Sequence, residues 1–409
     1  MESLEDRVAR SVFEIFDTLP AKCKPRTYET GVREWVPLSG IAVVGEDGIV
    51  TCVALGTGMK CLPASLSSIS STGGILHDWH AEVLAIRSFN HFLLDEALSI
   101  ARDHSFQSSI LRQRVSDELS SQEAGRQPYT IREGLKILMY CSEAPCGDAS
   151  MELVMEAQKD DTPWPVNLSG KNAQQGLLGR GSFSQLGIVR RKPSRGDAPP
   201  TLSKSCSDKL ALKQCTSLLL STTSLAISPE NAYINTLIIP KSQYRPEACE
   251  RSFGPEGRMK PMVGKAWSQG YAFRPFQVKT TDLEFTYSRR STASNPNGKS
   301  KGCNISAVWN PRYQDTLING ARQGFQLGNM KSASKVSAHK MWMDFMSINK
   351  ELGGIRPADI IQRGHTRDYT GYTIGFRVPT REQVKKDTKK EALKGWDRGA
   401  DKKIAGHSS

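Results

Sequence analysis

The first pattern along the chain is an apolar stripe with the spacing of an amphipathic helix. It runs through residues 3–19 and stops at Pro20. Apolar side chains three and four positions apart share one face of an α-helix, and proline cannot continue the helix. The sequence therefore predicts a helix over residues 3–19 that buries one face. The stripe consists of Val8, Val12, Ile15, Phe16 and Leu19.

Short runs rich in β-branched residues predict strands. Residues 40–45 and 49–55 form two such runs that share a Gly-Glu-Asp-Gly turn, so we expect a hairpin. Residues 135–141 and 232–239 have the same character, and each run predicts one further strand.

Two longer patterns predict helices. A long and mostly apolar pattern follows His80, which indicates a buried helix. A second helix is predicted from Pro145 onward, directly after the strand at 135–141. Strand, turn and helix in this order indicate an α/β layered fold.

Four segments lack such patterns. Residues 103–130 are polar and predict a surface excursion, and residues 160–205 predict a loop region that carries several basic side chains. Residues 287–303 are of low complexity and predict a mobile insertion. Residues 381–403 are rich in lysine.

Composition narrows the class of protein. The chain of 409 residues has 55 basic and 42 acidic side chains, which gives a formal charge of +13. Such an excess favours a polyanionic partner such as nucleic acid, and a protein that is merely basic is the alternative. No run of about 18 apolar residues occurs, so we expect no membrane span.

The cysteines and the N-terminus indicate a compartment. The N-terminus lacks a basic segment followed by an apolar run, so we expect no secretory signal and an intracellular protein, cytoplasmic or nuclear. The nine cysteines fit reduced thiols better than a disulfide framework, because their number is odd and the chain is long. No obligate protein partner is evident.

Three short segments contain residues that could bind a catalytic zinc ion and act beside it. They are Trp79-His80-Ala81-Glu82, Ala144-Pro145-Cys146-Gly147-Asp148 and Ser205-Cys206-Ser207-Asp208-Lys209. Zinc accepts histidine nitrogen and cysteine sulfur, and a catalytic zinc keeps one position open for water. His80, Cys146 and Cys206 would supply three ligands, and Glu82 would be free to move protons. A structural zinc with His77 or Cys141 as a fourth ligand is the alternative.

The His-x-Glu and Pro-Cys elements are the nucleobase deaminase pattern, which also has a second Cys three positions after the first. This chain has Ala149 there. The segment around Cys206 instead resembles the eukaryotic RNA adenosine deaminases, whose third zinc cysteine lies far downstream. Further matching segments, in family order, are Gly56-Thr-Gly-Met-Lys-Cys61, Gly254-Pro-Glu-Gly-Arg258, Asn319-Gly-Ala-Arg-Gln-Gly324 and Gly395-Trp396.

The resemblance implies a fold and a domain organisation. It implies a cytidine-deaminase-like layered fold, a central mixed sheet flanked by helices on both faces. C-terminal helices would enlarge this fold around a buried inositol phosphate. Residues 1–409 would form a single adenosine deaminase (A-to-I editase) domain, with residues 287–303 as a mobile insertion.

The resemblance also implies an activity. The deaminase pattern begins within about forty residues of the N-terminus, which leaves no room for preceding double-stranded-RNA-binding domains. The chain thus resembles the tRNA-specific branch of the family most closely. That branch converts adenosine to inosine at position 37 of alanine tRNA, next to the anticodon. The alternatives are a deaminase of another RNA and an inactive relative that binds RNA or inositol phosphate.

Further site residues follow from the resemblance. Inositol hexakisphosphate would be held by a ring of cationic side chains and a tryptophan, although the chain departs from the family at Ile86, Leu212 and Lys213. The candidates for that ring are Arg87, Lys209, Lys213, Lys385, Lys389 and Trp396. The candidates for RNA contact are Lys60, Arg190, Arg191, Lys192 and Arg195, with a merely solvated face as the alternative for Arg190, Arg191 and Lys192.

Overall fold

The protein is described by a computed structural model over residues 2–70, 72–120, 125–157, 177–178, 185–192, 199–293, 299–353 and 378–396. The strands within these residues are β1 (Arg33–Trp35), β2 (Leu38–Val44), β3 (Val50–Thr57), β4 (Leu111–Gln113), β5 (Tyr129–Ile131), β6 (Lys136–Cys141), β7 (Leu177–Leu178), β8 (Arg190–Arg191), β9 (Thr236–Pro240), β10 (Gln277–Thr281), β11 (Ser300–Gly302), β12 (Ser306–Asn310), β13 (Tyr313–Ile318) and β14 (Ala321–Arg322). The α-helices are α1 (Leu4–Thr18), α2 (Ala81–Arg102), α3 (Ser116–Ser120), α4 (Met151–Glu156), α5 (Cys206–Thr216), α6 (Pro246–Phe253), α7 (Arg289–Ala293), α8 (Ala338–Glu351) and α9 (Pro379–Glu391).

One mixed sheet of eight strands organises the fold, in the order β10-β9-β6-β2-β3-β12-β13-β14. Strands β10, β9 and β6 run parallel, and every other neighbouring pair in this sheet is antiparallel. Parallel neighbours need long crossovers, and these connections contain helices. Strands β1 and β11 form a separate parallel pair that we call the ribbon.

Helices cover both faces of the sheet. On one face, Val12 and Phe16 of α1 belong to an apolar cluster with Leu38 and Tyr140 of the sheet. On the other face, α2 contributes Phe89 and Leu93 to a larger cluster that also includes residues of α5, α8 and α9. Each such side chain stabilises the fold by roughly 1.5–3 kcal/mol when it is fully buried. The layered α/β class predicted from the sequence is therefore confirmed.

The predicted elements agree with the structure at most positions. The first helix is α1, the hairpin is the antiparallel pair β2 and β3, and the buried helix after His80 is α2. The strand expected over residues 232–239 is β9, which starts only at Thr236. Backbone hydrogen bonds tie the residues just before it to other elements, as when Leu218 N donates to Ala232 O.

One segment differs from the sequence prediction, and a second lies only partly within the described residues. Residues 103–130 contain the antiparallel partners β4 and β5 in part, and their Leu111 and Tyr129 are buried in the core rather than lying on a surface excursion. Residues 287–303, expected to be a mobile insertion, contain α7 and β11 on either side of residues 294–298, which lie outside the described residues. Ion pairs from Arg290 to Glu143 and Glu284 fix α7 in place.

No helix in the described ranges is both long enough and apolar enough to cross a lipid bilayer.

Candidate active site

Three donor atoms from distant parts of the chain converge at one end of the central sheet. The Nδ1 atom of His80 lies 3.8 Å from Cys146 Sγ and 3.8 Å from Cys206 Sγ. All three donor atoms lie within 4.8 Å of one another. One nitrogen and two sulfurs at this separation suit tetrahedral zinc, with a fourth position left for water.

The alternative of a structural zinc with four protein ligands gains no support. Neither His77 nor Cys141 belongs to a group of converging metal-ligand atoms in the described part of the chain. A second group shares His80 and adds Cys61 and Asp78. The Asp78 carboxylate already forms ion pairs with Lys192 and Lys209.

The start of α2 places His80. His80 is the N-cap residue of this helix, and Ala81 N donates to Gly58 O at the end of β3. The helix packs very closely on that strand, because a Cβ added at Gly56 would lie 2.6 Å from Leu84 Cβ and 2.8 Å from Ala81 O. Only glycine allows this approach, so the contact between strand and helix fixes the position of His80.

A tight turn places Cys146 against the start of α5. Gly147 has φ +107°, and a Cβ at this position would lie 2.3 Å from Ser205 Oγ. Ser207 Oγ donates to Pro145 O at 2.9 Å, and Cys206 N donates to Cys146 Sγ at 3.4 Å. The two cysteine segments therefore pack against each other through backbone and hydroxyl groups.

The sequence reasoning about Cys146 is corrected in one respect. We expect from the sequence that Cys146 opens a helix whose dipole favours its thiolate. The helix does follow, since a 3-10 turn at Asp148–Ser150 leads into α4 at Met151, but it starts two residues after Cys146. Cys206 is the cysteine that lies directly at a helix start, with Ser205 as its N-cap. A hydrogen bond from the Cys206 thiol lowers the pKa of Cys146 well below its ordinary value, and the charges of Lys192 and His80 act in the same direction.

Glu82 lies one residue inside α2 and is buried, with 6% of its surface exposed. Burial raises the pKa of its carboxyl group, and the negative charge of Cys146 raises it further. A carboxyl group with a raised pKa exchanges protons readily near neutral pH. It is thus suited to general acid–base chemistry beside the three donors.

A buried ionic cluster around Asp78 holds the backbone of His80 in place. The sequence did not predict this cluster. Asp78 Oδ1 accepts from His80 N at 3.0 Å, and Asp78 Oδ2 accepts from Lys192 Nζ at 2.8 Å and from Lys209 Nζ. Burial alone would raise the pKa of Asp78, but Lys192 and Lys209 hold it well below its usual range. Asp78 stands two residues before His80, which is the only signal in the sequence.

Two of the predicted RNA contacts are wrong in this structure, because their side chains lie in the interior. Arg190 is fully buried, and its backbone N donates to Asp208 Oδ2 at 2.9 Å. Lys192 is 3% exposed, and its Nζ donates to Asp78 and to Cys206 Sγ, the latter at 3.2 Å. Arg191 is only partly buried, and Arg195 lies outside the described residues.

Cationic side chains meet around residues 218–221, between α5 and α9, and we call them the cationic cluster. Lys213 Nζ donates to Leu218 O and Leu219 O, at 2.9 and 2.7 Å. Burial lowers the pKa of Lys213 well below its usual value, and the charges of Arg381, Lys385 and Arg87 lower it further. The cluster consists of Arg87, Lys213, Arg381 and Lys385, of which Arg381 was not predicted from the sequence.

The other three residues predicted for the inositol phosphate are Lys389, Trp396 and Lys209. Lys389 follows Lys385 by one helical turn on α9, and its Nζ lies 4.8 Å from the centre of the Trp396 ring. Lys209 points its ammonium group at Asp78, on the side of the zinc donors.

The ribbon, together with Tyr28 and with Arg289 of α7, forms a basic and aromatic surface. Lys301 Nζ lies 3.9 Å from the centre of the Tyr28 ring, and the Arg289 guanidinium lies 5.7 Å from that of Trp35. Exposed Lys60 donates to Asn304, and its backbone O accepts from Trp79 N, directly before His80. Sequence reasoning found Lys60 but not the ribbon, because its pairs join residues far apart in the chain.

Comparison with known proteins agrees with this geometry. Residues 54–396 match the adenosine-deaminase (editase) domain, and this span includes all three donors and Glu82. The chain is similar to tRNA-specific adenosine deaminase 1 of Schizosaccharomyces pombe, with 34% identity over 83% of this chain and 84% of that protein. The protein of the same name from Saccharomyces cerevisiae is 28% identical over 87% of this chain and 86% of its own length.

A double-stranded RNA-specific editase of Drosophila melanogaster is 26% identical over 78% of this chain but only 42% of its own length. The chain therefore belongs to the adenosine-deaminase (editase) family, as predicted from the sequence, and is an adenosine deaminase. Within that family its full-length similarity is to the proteins named tRNA-specific adenosine deaminase 1.

Proposed function

We propose that the protein is a zinc-dependent enzyme that hydrolyses adenosine to inosine in tRNA, at position 37 of alanine tRNA. The observation that carries this proposal is the convergence of His80 Nδ1, Cys146 Sγ and Cys206 Sγ within 4.8 Å, close to buried Glu82. The reaction adds water to the adenine C6 atom and releases ammonia.

The donor set supports zinc as the metal. Imidazole nitrogen and thiolate sulfur are the ligands that zinc prefers, and His80, Cys146 and Cys206 would hold it. When bound, zinc supplies a water whose pKa is lowered towards about 7. Lys192 favours the thiolate form of Cys146, which a metal ligand requires.

Glu82 moves the protons of the reaction. Its carboxylate accepts a proton from the attacking water and donates it to N1 of the adenine. The oxygen then bonds to C6. Glu82 takes the remaining proton of that oxygen and delivers it to N6, and the C6–N6 bond breaks as the C6=O bond forms and ammonia leaves. Burial and the negative charge of Cys146 raise the pKa of the carboxyl group, which favours its role as a proton acceptor and donor.

A loop of tRNA suits this active site as a substrate. The target adenine must leave its stack to reach a buried carboxyl group, and this costs least where the base is unpaired. A position next to the anticodon meets that condition. The relatives that match over most of the chain are named for tRNA, which favours tRNA over other RNAs.

A substrate panel tests the proposal. The purified protein is incubated with an alanine tRNA transcript, the same transcript with guanosine at position 37, and a long RNA duplex, and inosine is located by sequencing. We expect inosine at position 37 of the first transcript alone. Inosine only in the duplex would support the alternative RNA substrate. No inosine from a folded and zinc-loaded protein would contradict the proposal and favour a binding role.

The cationic cluster supports inositol hexakisphosphate as a second bound group. Several cations that share one partly buried site repel one another unless a polyanion neutralises them. Lys213, Arg87, Arg381 and Lys385 share such a site, in which Glu382 lies 2.6 Å from Lys385 and 4.0 Å from Arg381 and supplies one negative charge. A polyanion would add to that counter-charge. For Lys209, Lys389 and Trp396, the assignment to the polyanion rests on the resemblance alone.

The ribbon and Lys60 are proposed as the surface that holds the RNA backbone. Lys299, Lys301 and Arg289 are exposed there. Cationic side chains neutralise phosphates, and the neighbouring Tyr28 and Trp35 can contact bases or sugars. Lys60 O accepts from Trp79 N, directly before His80, and Gly302 of the ribbon lies against the side chain of Met59, the residue before Lys60. Of the basic cluster predicted from the sequence, Arg191 and Arg195 remain candidates.

We expect the double substitution Arg289→Ala and Lys301→Ala to raise KM for tRNA several-fold and to change kcat much less. Each lost phosphate contact lowers the slope of log Kd against log salt by about one. Lys279→Ala on the edge strand β10 is the matched control, since this lysine is also exposed. A salt slope equal in the double variant and the wild type would show that the ribbon does not carry the RNA.

The remaining expectations are parts of the same proposal. We retain one catalytic domain over residues 1–409, an intracellular location and activity without an obligate protein partner. The family match over residues 54–396 supports the first of these, since it extends over most of the chain.

A further inference from the structure

The turn Gly254-Pro-Glu-Gly-Arg258 follows α6 and delivers an arginine into the interior beneath the two cysteine segments. The Arg258 side chain is 4% exposed, and its NH1 donates to Asp208 Oδ1 at 2.6 Å. Asp208 lies two residues after Cys206 and is fully buried. Arg258 thus contacts the segment that carries one of the zinc donors.

Helix α6 contacts the other cysteine segment in the same way. Arg251 Nε lies 3.3 Å from both carboxylate oxygens of Asp148, and its NH2 donates to Asp148 O at 2.9 Å. Ser252 Oγ donates to Asp148 Oδ2 at 2.9 Å. Asp148 lies two residues after Cys146 and is fully buried.

The two contacts belong to one rigid piece of chain. Arg258 N donates to Arg251 O at 2.9 Å, and Arg258 Nε donates to Ser252 O at 3.0 Å. Buried Arg190 lies close enough to both aspartates for each carboxylate to raise its pKa, although burial leaves that pKa lowered overall. We call Arg251, Ser252 and Arg258 the brace.

We infer that the brace sets the separation of Cys146 and Cys206 and thereby determines how tightly zinc is held. This inference rests on the proposed zinc site. The brace residues are positioning residues, since they act through Asp148 and Asp208 on the donors. Groups that orient metal ligands typically change metal affinity by about 10- to 100-fold when they are removed.

The test is zinc retention by Arg258→Met against a chromophoric chelator. We expect zinc to be released about 10- to 100-fold faster or more completely than from the wild type. Arg245→Met is the matched control, because Arg245 at the start of α6 pairs with Glu156 at 2.6 Å on the surface. The absorption spectrum of the cobalt-substituted protein reports ligand geometry and is expected to change in Arg258→Met only.

The outcomes distinguish an effect of the brace on zinc binding from a general loss of protein stability. Retention and cobalt spectrum equal to wild type in folded Arg258→Met would overturn the inference, as would equal losses in Arg245→Met. If Arg258→Met does not fold, Arg258→Lys keeps a charge opposite Asp208 but loses the planar contact, and we expect a weaker effect in the same direction. Unchanged zinc retention in Arg258→Lys would then overturn the inference. Failure of the wild type to bind zinc would contradict the proposed function instead.

Discussion

Glu82→Gln is expected to lower kcat for inosine formation by roughly 10²- to 10⁴-fold, the range for loss of one general acid–base group. Glutamine keeps the shape of the side chain but cannot accept a proton from water or give one to the adenine. Single-turnover rates with alanine tRNA measure the effect directly. The protein would still bind tRNA and zinc, since Glu82 is not among the three donors.

Glu96→Gln is a suitable control for this substitution. Glu96 is also a buried carboxylate on α2, with 5% of its surface exposed, and it pairs with Arg312 rather than facing the donors. We expect Glu96→Gln to lose stability but to keep most of its kcat. Glu82→Gln is expected to unfold at the same temperature as the wild type or higher, because burial disfavours the charged form of Glu82. More than about a tenth of wild-type kcat in Glu82→Gln would contradict the mechanism.

The parts of the site that lie close together in the sequence were predictable. His80 and Glu82 are separated by one residue at the start of an apolar helix pattern, and the structure keeps that relation. Cys146 lies five residues after the last residue of β6, which was also predicted. Such local patterns survive folding because a helix start and a strand end each fix the geometry of only a few residues.

Cys206 was predicted as a zinc ligand only through the family resemblance. It is a buried cysteine at the N1 position of α5, and nothing in its own neighbourhood distinguishes it from a core cysteine. Only the structure shows the contacts that place Cys206 at the site. Ser207 Oγ donates a hydrogen bond to Pro145 O, and Cys206 N donates one to Cys146 Sγ. These contacts join segments about sixty residues apart, so no periodic pattern could reveal them.

The charged residues were predicted least well. A run such as Arg190-Arg191-Lys192 reads as a basic surface, because arginine and lysine are almost never fully buried unless they are paired. Here Lys192 has its partner in Asp78, and Arg190 lies between Asp148 and Asp208. All three of these aspartates stand within two residues of a zinc donor. Cations that support the donor segments were thus mistaken for cations that contact RNA.

A substitution in the cationic cluster tests whether a polyanion is bound there. The change in protein stability has one sign with a bound polyanion and the opposite sign without one. Lys213→Gln removes one positive charge and keeps donors that can reach Leu218 O and Leu219 O. If a polyanion occupies the site, the substitution removes part of its counter-charge, and stability is expected to fall by about 3 kcal/mol. If none is bound, the substitution relieves repulsion from Arg87, Arg381 and Lys385, and stability rises.

Thermal unfolding of the purified protein measures the difference, and we expect the Tm of Lys213→Gln to fall by several degrees. Lys386→Gln is the control, because Lys386 is exposed on the same helix as Arg381 and Lys385. Acid extraction of the wild type followed by anion chromatography and mass spectrometry identifies the bound group. A higher Tm for Lys213→Gln, together with an extract free of inositol phosphates, would contradict the polyanion.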